Sequence, residues 1–411
     1  MWLEAGTIIA LSLVRCCRFG FEYFPVIDDW IQYVAYQSAP DLFNRWFIGA
    51  GLYYTRPLAA LMDLFVWGKI GMSASFIIIT LLYGISCWLF LCAFRQQGIR
   101  IGLGFVVVYM LLPINTEATL WLSASTRIVL SLFLSSLSLV LLKKHKVLFW
   151  FFNLLSLFLY EQTAVLSLAL GLYFAHRERL KIIPIVNGLF FLLYYVLFSG
   201  SGQFGSRSRI VLPDIQLIKA FSEGFFVKHW QLISNGTRRG FTILCNCWWL
   251  FALVVIVSIA VLFIIRENKG LSGAWLGLVL FFLPFAPYLV VAQPLSFRAF
   301  VPSLVGLGLI ADGVLKNHSV KLMLSAILIP VFLAAGVSEV TDYRTVSLTD
   351  RAMAQQIVEA DAKSFKRKES VNELNVLYMQ HITNVSESDW AMTGCIRAIT
   401  KNPDYPMLII E

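Results

Sequence analysis

The tetrapeptide Ile27-Asp28-Asp29-Trp30 holds the residues best suited to chemistry. Adjacent carboxylates resist joint ionisation, because like charges repel, and burial beside aromatic rings adds a desolvation cost. One of the two then suits a general base taking a proton from a hydroxyl. The same dipeptide also reads as a solvated loop, or as the N-cap of a helix starting at Trp30. Short motifs match often by chance, so the pair gains meaning only from what else the chain brings to the same place.

Several other ionisable residues fall at comparable positions, at the ends of apolar blocks. Arg56 precedes Pro57. Glu117 sits in Asn115-Thr116-Glu117 with Trp121 behind it, and Arg127 opens the next block. Glu161 lies in Tyr160-Glu161-Gln162-Thr163, and Arg298 follows Pro294 at the head of a later block. Each alone is ordinarily an interfacial anchor. Together they supply guanidinium forks that match phosphate oxygens and carboxylates that suit hydroxyl activation.

The elements that must carry these residues are membrane-like. Of 411 residues, 58% are hydrophobic and 14% charged, with a mean hydropathy of +0.74. One soluble core of this length would not hide that much apolar surface, and lipid is the natural solvent for the excess. Aromatic residues, at 15%, suit interfacial belts. The net charge of +9 does not point to nucleic acid, because the cations cluster in short loops between apolar blocks. The 7 Cys show neither a disulfide framework nor zinc-ligand spacing. The first block lacks a basic leader and a cleavage site, and is expected as a retained span carrying Glu4, Arg15 and Arg18.

Charge orients the blocks. Arg95 with Arg100, Lys143 to Lys146, Arg177 to Lys181, Arg266 with Lys269, and Lys316 with Lys321 are separated pairwise by two spans. All can then face the cytoplasm together. The alternate loops, which hold the candidate site residues, face outward. This predicts an all-α polytopic membrane protein of about eleven transmembrane helices, N-terminus inside and C-terminus outside. Arg56 to Ile70, with Asp63 and Lys69, is expected to lie in the interface. Val147 to Ala175 is expected to turn back near Glu161 as a hairpin. The loop from Gly200 to Thr242 adds Arg207, Arg209, Lys219, Lys228, Arg238 and Arg239, which suit lipid headgroups or an anionic acceptor.

Composition shifts at Ser338. Met1 to Val337 is the membrane domain, and Ser338 to Glu411 is expected as a small external α/β module. Its predicted elements are a helix from Leu348 to Phe365, a strand at Val376 to Met379, a helix around Asp389 to Ile399 and a strand at Met407 to Ile410.

Asp28-Asp29-Trp30 just after the first span, Arg56-Pro57, Asn115 to Trp121 and Tyr160-Glu161, taken in this order and on one side, resemble the GT-C superfamily of membrane glycosyltransferases. Size and tail are most similar to Gtr-type glucosyltransferases that decorate bacterial O-antigen. The resemblance covers Met1 to Val337. It implies an inverting hexosyltransferase of the bacterial inner membrane, working on the periplasmic face. The implied donor is a polyprenyl-phosphate sugar, with glucose as the hexose, and the acceptor a surface glycan such as lipopolysaccharide O-antigen. Asp28 or Asp29 would be the base. Arg56, Arg127 or Arg298 would hold the phosphate, Glu117 and Glu161 would orient hydroxyls, and Trp30 and Trp121 would line the substrate. No cofactor is required, although adjacent aspartates can bind a divalent ion. The rivals are a lipid-linked glycan flippase or transporter, and an O-antigen polymerase or ligase.

Overall fold

A computed structural model describes residues 2–14, 16–38, 56–198, 219, 222–223, 227, 229–287, 297–362, 364–365 and 388–410. Among these, helices dominate. In chain order they are α1 (Trp2–Val14), α2 (Asp28–Ser38), α3 (Pro57–Phe65), α4 (Met72–Gln96), α5 (Leu103–Leu111), α6 (Thr116–Leu120), α7 (Leu122–Leu141), α8 (Lys146–Leu157) and α9 (Glu161–Arg177). They continue as α10 (Ile182–Phe198), α11 (His229–Cys245), α12 (Trp248–Ile264), α13 (Ala274–Phe282), α14 (Leu304–Val314), α15 (His318–Glu359) and α16 (Asp389–Thr400). The strands are two-residue pieces: β1 (Ile99–Arg100) pairs in parallel with β2 (Leu271–Ser272), and β3 (Ser364–Phe365) with β4 (Ile409–Ile410).

Among the described residues, α4, α7 and α15 are long and apolar enough to cross a membrane, making 3 spans, or up to 5 if each bent pair counts as one. One bent pair is α5 with the Pro113–Leu120 segment, at 47°; Pro113 has no N–H to continue the ladder. The remaining apolar helices, such as α1, α8 and α14, are shorter than the roughly 20 residues a perpendicular crossing needs. Their outer faces still present large apolar groups: Trp248 and Phe263 on α12 are each 80% exposed, and Trp275 on α13 is 76% exposed.

The basic clusters gather at one end of the helices. Arg95, at the end of α4, donates to both oxygens of Glu4 at 2.7 and 2.8 Å and to the carbonyl of Arg266 at 2.5 Å. Arg177 donates to the carbonyl of Gln97 at 2.7 Å, and Lys143 lies 3.7 Å from Glu178. Asp312 accepts from the amides of Gly102, Gly104 and Phe105 at 2.7, 3.1 and 2.8 Å, capping the start of α5. It also accepts from Lys321 at 2.8 Å, and Lys321 reaches Glu267 at 2.7 Å. The poor first block is thus a 13-residue helix whose Glu4 is matched by Arg95.

The hairpin expected near Glu161 is present. α8 and α9 run antiparallel, with the Asn153 amide donating to the carbonyl of Ser167 at 3.3 Å; Gly171 makes room for that amide, since a Cβ there would lie 3.0 Å from it. The interfacial stretch forms α3 followed by a single wide turn, Val66–Ile70.

The tail departs from expectation. The helix forecast from Leu348 to Phe365 is the last part of α15, which runs unbroken for 42 residues across the Val337–Ser338 boundary and ends at Glu359. A change of surface polarity does not interrupt backbone hydrogen bonding; nothing between Ser338 and Leu348 is a helix breaker. The helix at Asp389 forms as α16, with the Ser388 hydroxyl accepting from the Ala391 amide at 3.1 Å. Its Ala391, Met392, Cys395 and Ile396 bury against Trp30 of α2 and Ala354 and Ile357 of α15. The expected strand Val376–Met379 lies outside the described residues, as do Arg15, Arg207, Arg209, Lys228 and Pro294.

Candidate functional site

The end of the helices opposite the basic clusters carries the residues singled out from the sequence. Its organiser is the N-terminus of α7, where the first backbone N–H groups have no partner within the helix. The amide of Ser123 donates to Asp29 Oδ1 at 3.0 Å, and its hydroxyl donates to the same oxygen at 2.6 Å. The amide of Leu122 donates to the hydroxyl of Tyr23 at 2.7 Å, which in turn donates to Asp29 Oδ2 at 2.5 Å. The Val26 amide donates to Oδ2 at 3.1 Å, so Asp29 reaches back three residues as the acidic half of a capping box does.

Asp29 is therefore fully buried with four donors on its two oxygens. Burial pushes its carboxyl up to about 7, against the pull of the Ser123, Tyr23 and Val26 hydrogen bonds. The Tyr23 phenol is pushed well above its usual range, first by burial and then by the Asp29 charge. Asp28, beside it, is only half-buried at the start of α2. Ile27, just before the pair, has a φ of 33°. That left-handed conformation is strained for a β-branched residue. It turns the chain into α2, where successive helical positions put Asp29 inside the protein and Asp28 toward its surface.

Two arginines sit near this end in the same kind of setting. Arg56, at the N-cap position of α3, donates through Nε to both oxygens of Glu161 at 2.9 and 3.0 Å, and its Nη2 lies 2.8 Å from Oε2. Its guanidinium lies 4.8 Å from the centre of the Tyr160 ring. Arg298 lies 4.6 Å from the centre of the Trp121 ring, its Nη1 is 3.8 Å from Glu117 Oε1, and its amide donates to Glu117 Oε2 at 3.2 Å. The two guanidinium side chains are 25% and 33% exposed, whereas Glu117 is 1% exposed.

Arg127 is placed differently. It is buried, and its Nη2 donates to Asp63 Oδ2 at 3.1 Å, while Thr126 donates to the other oxygen at 3.4 Å. Burial raises the Asp63 carboxyl and outweighs the opposing pull of Arg127. This pair fastens α3 to α7. Trp30 is also buried, facing the tail helix, with the Arg351 guanidinium 5.3 Å from its ring centre.

One short stretch of chain, Glu117 to Arg127, thus touches three groups: Arg298 through Glu117 and Trp121, Asp29 through Ser123, and Asp63 through Arg127. Sequence reasoning passed over Tyr23 and Ser123, which look like ordinary interfacial polar residues. It also passed over Tyr343 of α15, which lies within electrostatic range of Glu117, Glu339, Asp29 and Arg298. Among the described residues, no group of three or more His, Cys, Asp or Glu is arranged to hold a metal ion.

No protein-family model, curated protein or solved structure matches the chain.

Proposed function

We propose that the chain is an inverting glycosyltransferase of GT-C type. In this reading it crosses a bacterial inner membrane about eleven times, with its N-terminus cytoplasmic and its C-terminus periplasmic. It moves a hexose, glucose by resemblance, from a polyprenyl-phosphate donor to a surface glycan such as lipopolysaccharide O-antigen. The observation that carries the reading is the segregation of side chains. Basic loops gather at one end, while the other end holds Asp28 and Asp29 with two partly exposed guanidinium groups, each lying on an aromatic ring.

Asp28 is the base in this scheme, because it is the half-buried member of the pair. It takes the proton of an acceptor hydroxyl. The oxygen attacks the anomeric carbon opposite the phosphate, the glycosidic C–O bond to phosphate breaks, and polyprenyl phosphate leaves with the electron pair. Asp29 positions Asp28 by fixing α2 to α7. Arg56 and Arg298 stabilise the departing phosphate, in surroundings partly shielded from water where charge–charge attraction is stronger. Arg127, held by Asp63, supports the frame. Glu117 and Glu161 orient the two arginines, and Trp121 supplies a ring face.

The test is mass spectrometry of surface glycans from bacteria with and without the protein. The expected result is one extra hexose mass, lost in membrane-inserted Asp28→Asn. Unchanged hexose addition by an Asp28→Asn, Asp29→Asn double variant would overturn the assignment; lengthened glycan chains would indicate a polymerase or ligase. One observation favours transport instead: Glu339 of α15 is a fully buried carboxyl, the kind of group that marks translocation paths. Movement of labelled lipid-linked sugar across vesicles without transfer would support that reading.

A further inference from the structure

The stretch of α15 that faces the site carries buried polar atoms that have no hydrogen-bond partner among the described residues, with Arg239 a charge neighbour of Glu339. Glu339 is 0% exposed, and neither of its carboxylate oxygens has a hydrogen-bond partner among the described residues. The same holds for the Tyr343 hydroxyl, for Ser347 Oγ and for Asp342 Oδ2, while the other Asp342 oxygen pairs with Arg239 of α11. Glu339 and Tyr343 are four residues apart, and Tyr343 and Ser347 likewise, so they stack on one helical face. Buried polar atoms are satisfied in the great majority of cases, and an unpaired buried acid is among the costliest groups a fold can carry. Several on one face, without hydrogen-bond partners among the described residues, make a surface that a polar ligand would complete.

The position narrows what that is. Tyr343 lies within electrostatic range of Glu117, Asp29 and Arg298. The face therefore borders the site, where α15 packs against α6. It offers carboxylate oxygens, which only accept, and hydroxyls, which do both. That inventory fits a ligand rich in hydroxyl donors.

We propose that Glu339 and Tyr343 form the wall that receives the hexose of the lipid-linked donor. Sugar hydroxyls donate to Glu339, and Tyr343 bridges the sugar and the Glu117–Arg298 pair. Arg298, on the Trp121 ring, is the partly exposed member of that group and faces the head group. The proposal rests on the donor reading above and adds the residues that recognise the sugar.

The experiment compares two kinds of lipid on the full-length chain in detergent. Thermal stability is titrated with undecaprenyl phosphate, and with undecaprenyl phosphate bearing glucose, galactose or mannose. At least one sugar-bearing lipid is expected to bind the wild type about tenfold more tightly than the bare phosphate, the range expected when buried polar groups gain partners. Glu339→Gln and Tyr343→Phe should each lose that preference while binding the bare lipid as before. Glu339→Leu serves as the folding control. It removes a buried acid that has no hydrogen-bond partner among the described residues, so it should raise the melting temperature and still lose the preference. Equal binding of bare and sugar-bearing lipids by the wild type, or retained preference in the variants, overturns this inference and leaves the donor reading standing. Binding of no lipid at all overturns both.

Discussion

The hydroxyl of Tyr23 stands between the α7 N-terminus and Asp29: it accepts from the Leu122 amide at 2.7 Å and donates to Asp29 at 2.5 Å. Tyr23→Phe keeps the ring against Phe76 but strands the Leu122 amide and leaves Asp29 Oδ2 with the Val26 amide alone. The expected loss is about 2 kcal/mol of stability. Ser123→Ala, which leaves the Ser123 amide bond intact, should cost about half of that. Chemical unfolding of the two variants in detergent checks the order; equal losses, or none, would remove Asp29 as a fixing point.

Acidity should act on this group in a definite direction. The Asp29 carboxyl titrates near 7 in the folded chain, raised by burial from an ordinary value of 3.8. Between those values the folded state holds a proton that the unfolded state has released, so this group's contribution to stability falls as pH rises through 7. Melting temperatures measured from pH 8 down to pH 5 should therefore rise by more in the wild type than in Asp29→Asn. Parallel curves for the two proteins would contradict it.

The Arg56–Glu161 pair predicts a small coupling. Its side chains are 25% and 19% exposed, so solvent screens the attraction. A double-mutant cycle with Arg56→Gln and Glu161→Gln should give roughly 0.5–1 kcal/mol. Arg56→Lys keeps the charge but not the fork, and in a transfer assay it should behave closer to Arg56→Gln than to the wild type.

At the opposite end, Asp312→Ala should be severe. It strands three amides at the start of α5 and leaves Lys321, 1% exposed, with Glu267 as its remaining carboxylate partner among the described residues. Removing one member of a buried ion pair costs about 3–5 kcal/mol. Lys321→Met in the same chain should recover part of the loss, and yield of folded protein by size-exclusion chromatography reports both.

Trp30→Ala tests the attachment of the tail. The side chain is 3% exposed, packed among α15 and α16 residues. Truncation should cost about 3–5 kcal/mol locally and expose the chain beyond Glu359 to limited proteolysis while the membrane helices stay resistant. Unchanged digestion would show that α16 is held by other contacts.

The sequence by itself determined where most of the apolar helices lie, that the Glu161 region turns back, that a short helix starts at Asp389, and that the basic loops share one end; it read Gly200 to Thr242 as a loop, where the structure has most of α11 (His229–Cys245). Apolar run length, capping residues and charge position are local properties, and the backbone answers to them locally. Tertiary structure alone decided the partners. Asp63 meets Arg127 and Asp29 meets Ser123 across dozens of residues, because contact depends on how each helix is rotated about its axis. That rotation is why adjacent aspartates part company, Asp29 inward and Asp28 toward the surface, why Trp30 faces the tail, and why Glu339 is buried without a hydrogen-bond partner among the described residues. Continuity of α15 through Ser338 follows the same logic: the polarity boundary is written in side chains, whereas the helix is held by backbone hydrogen bonds that do not register it.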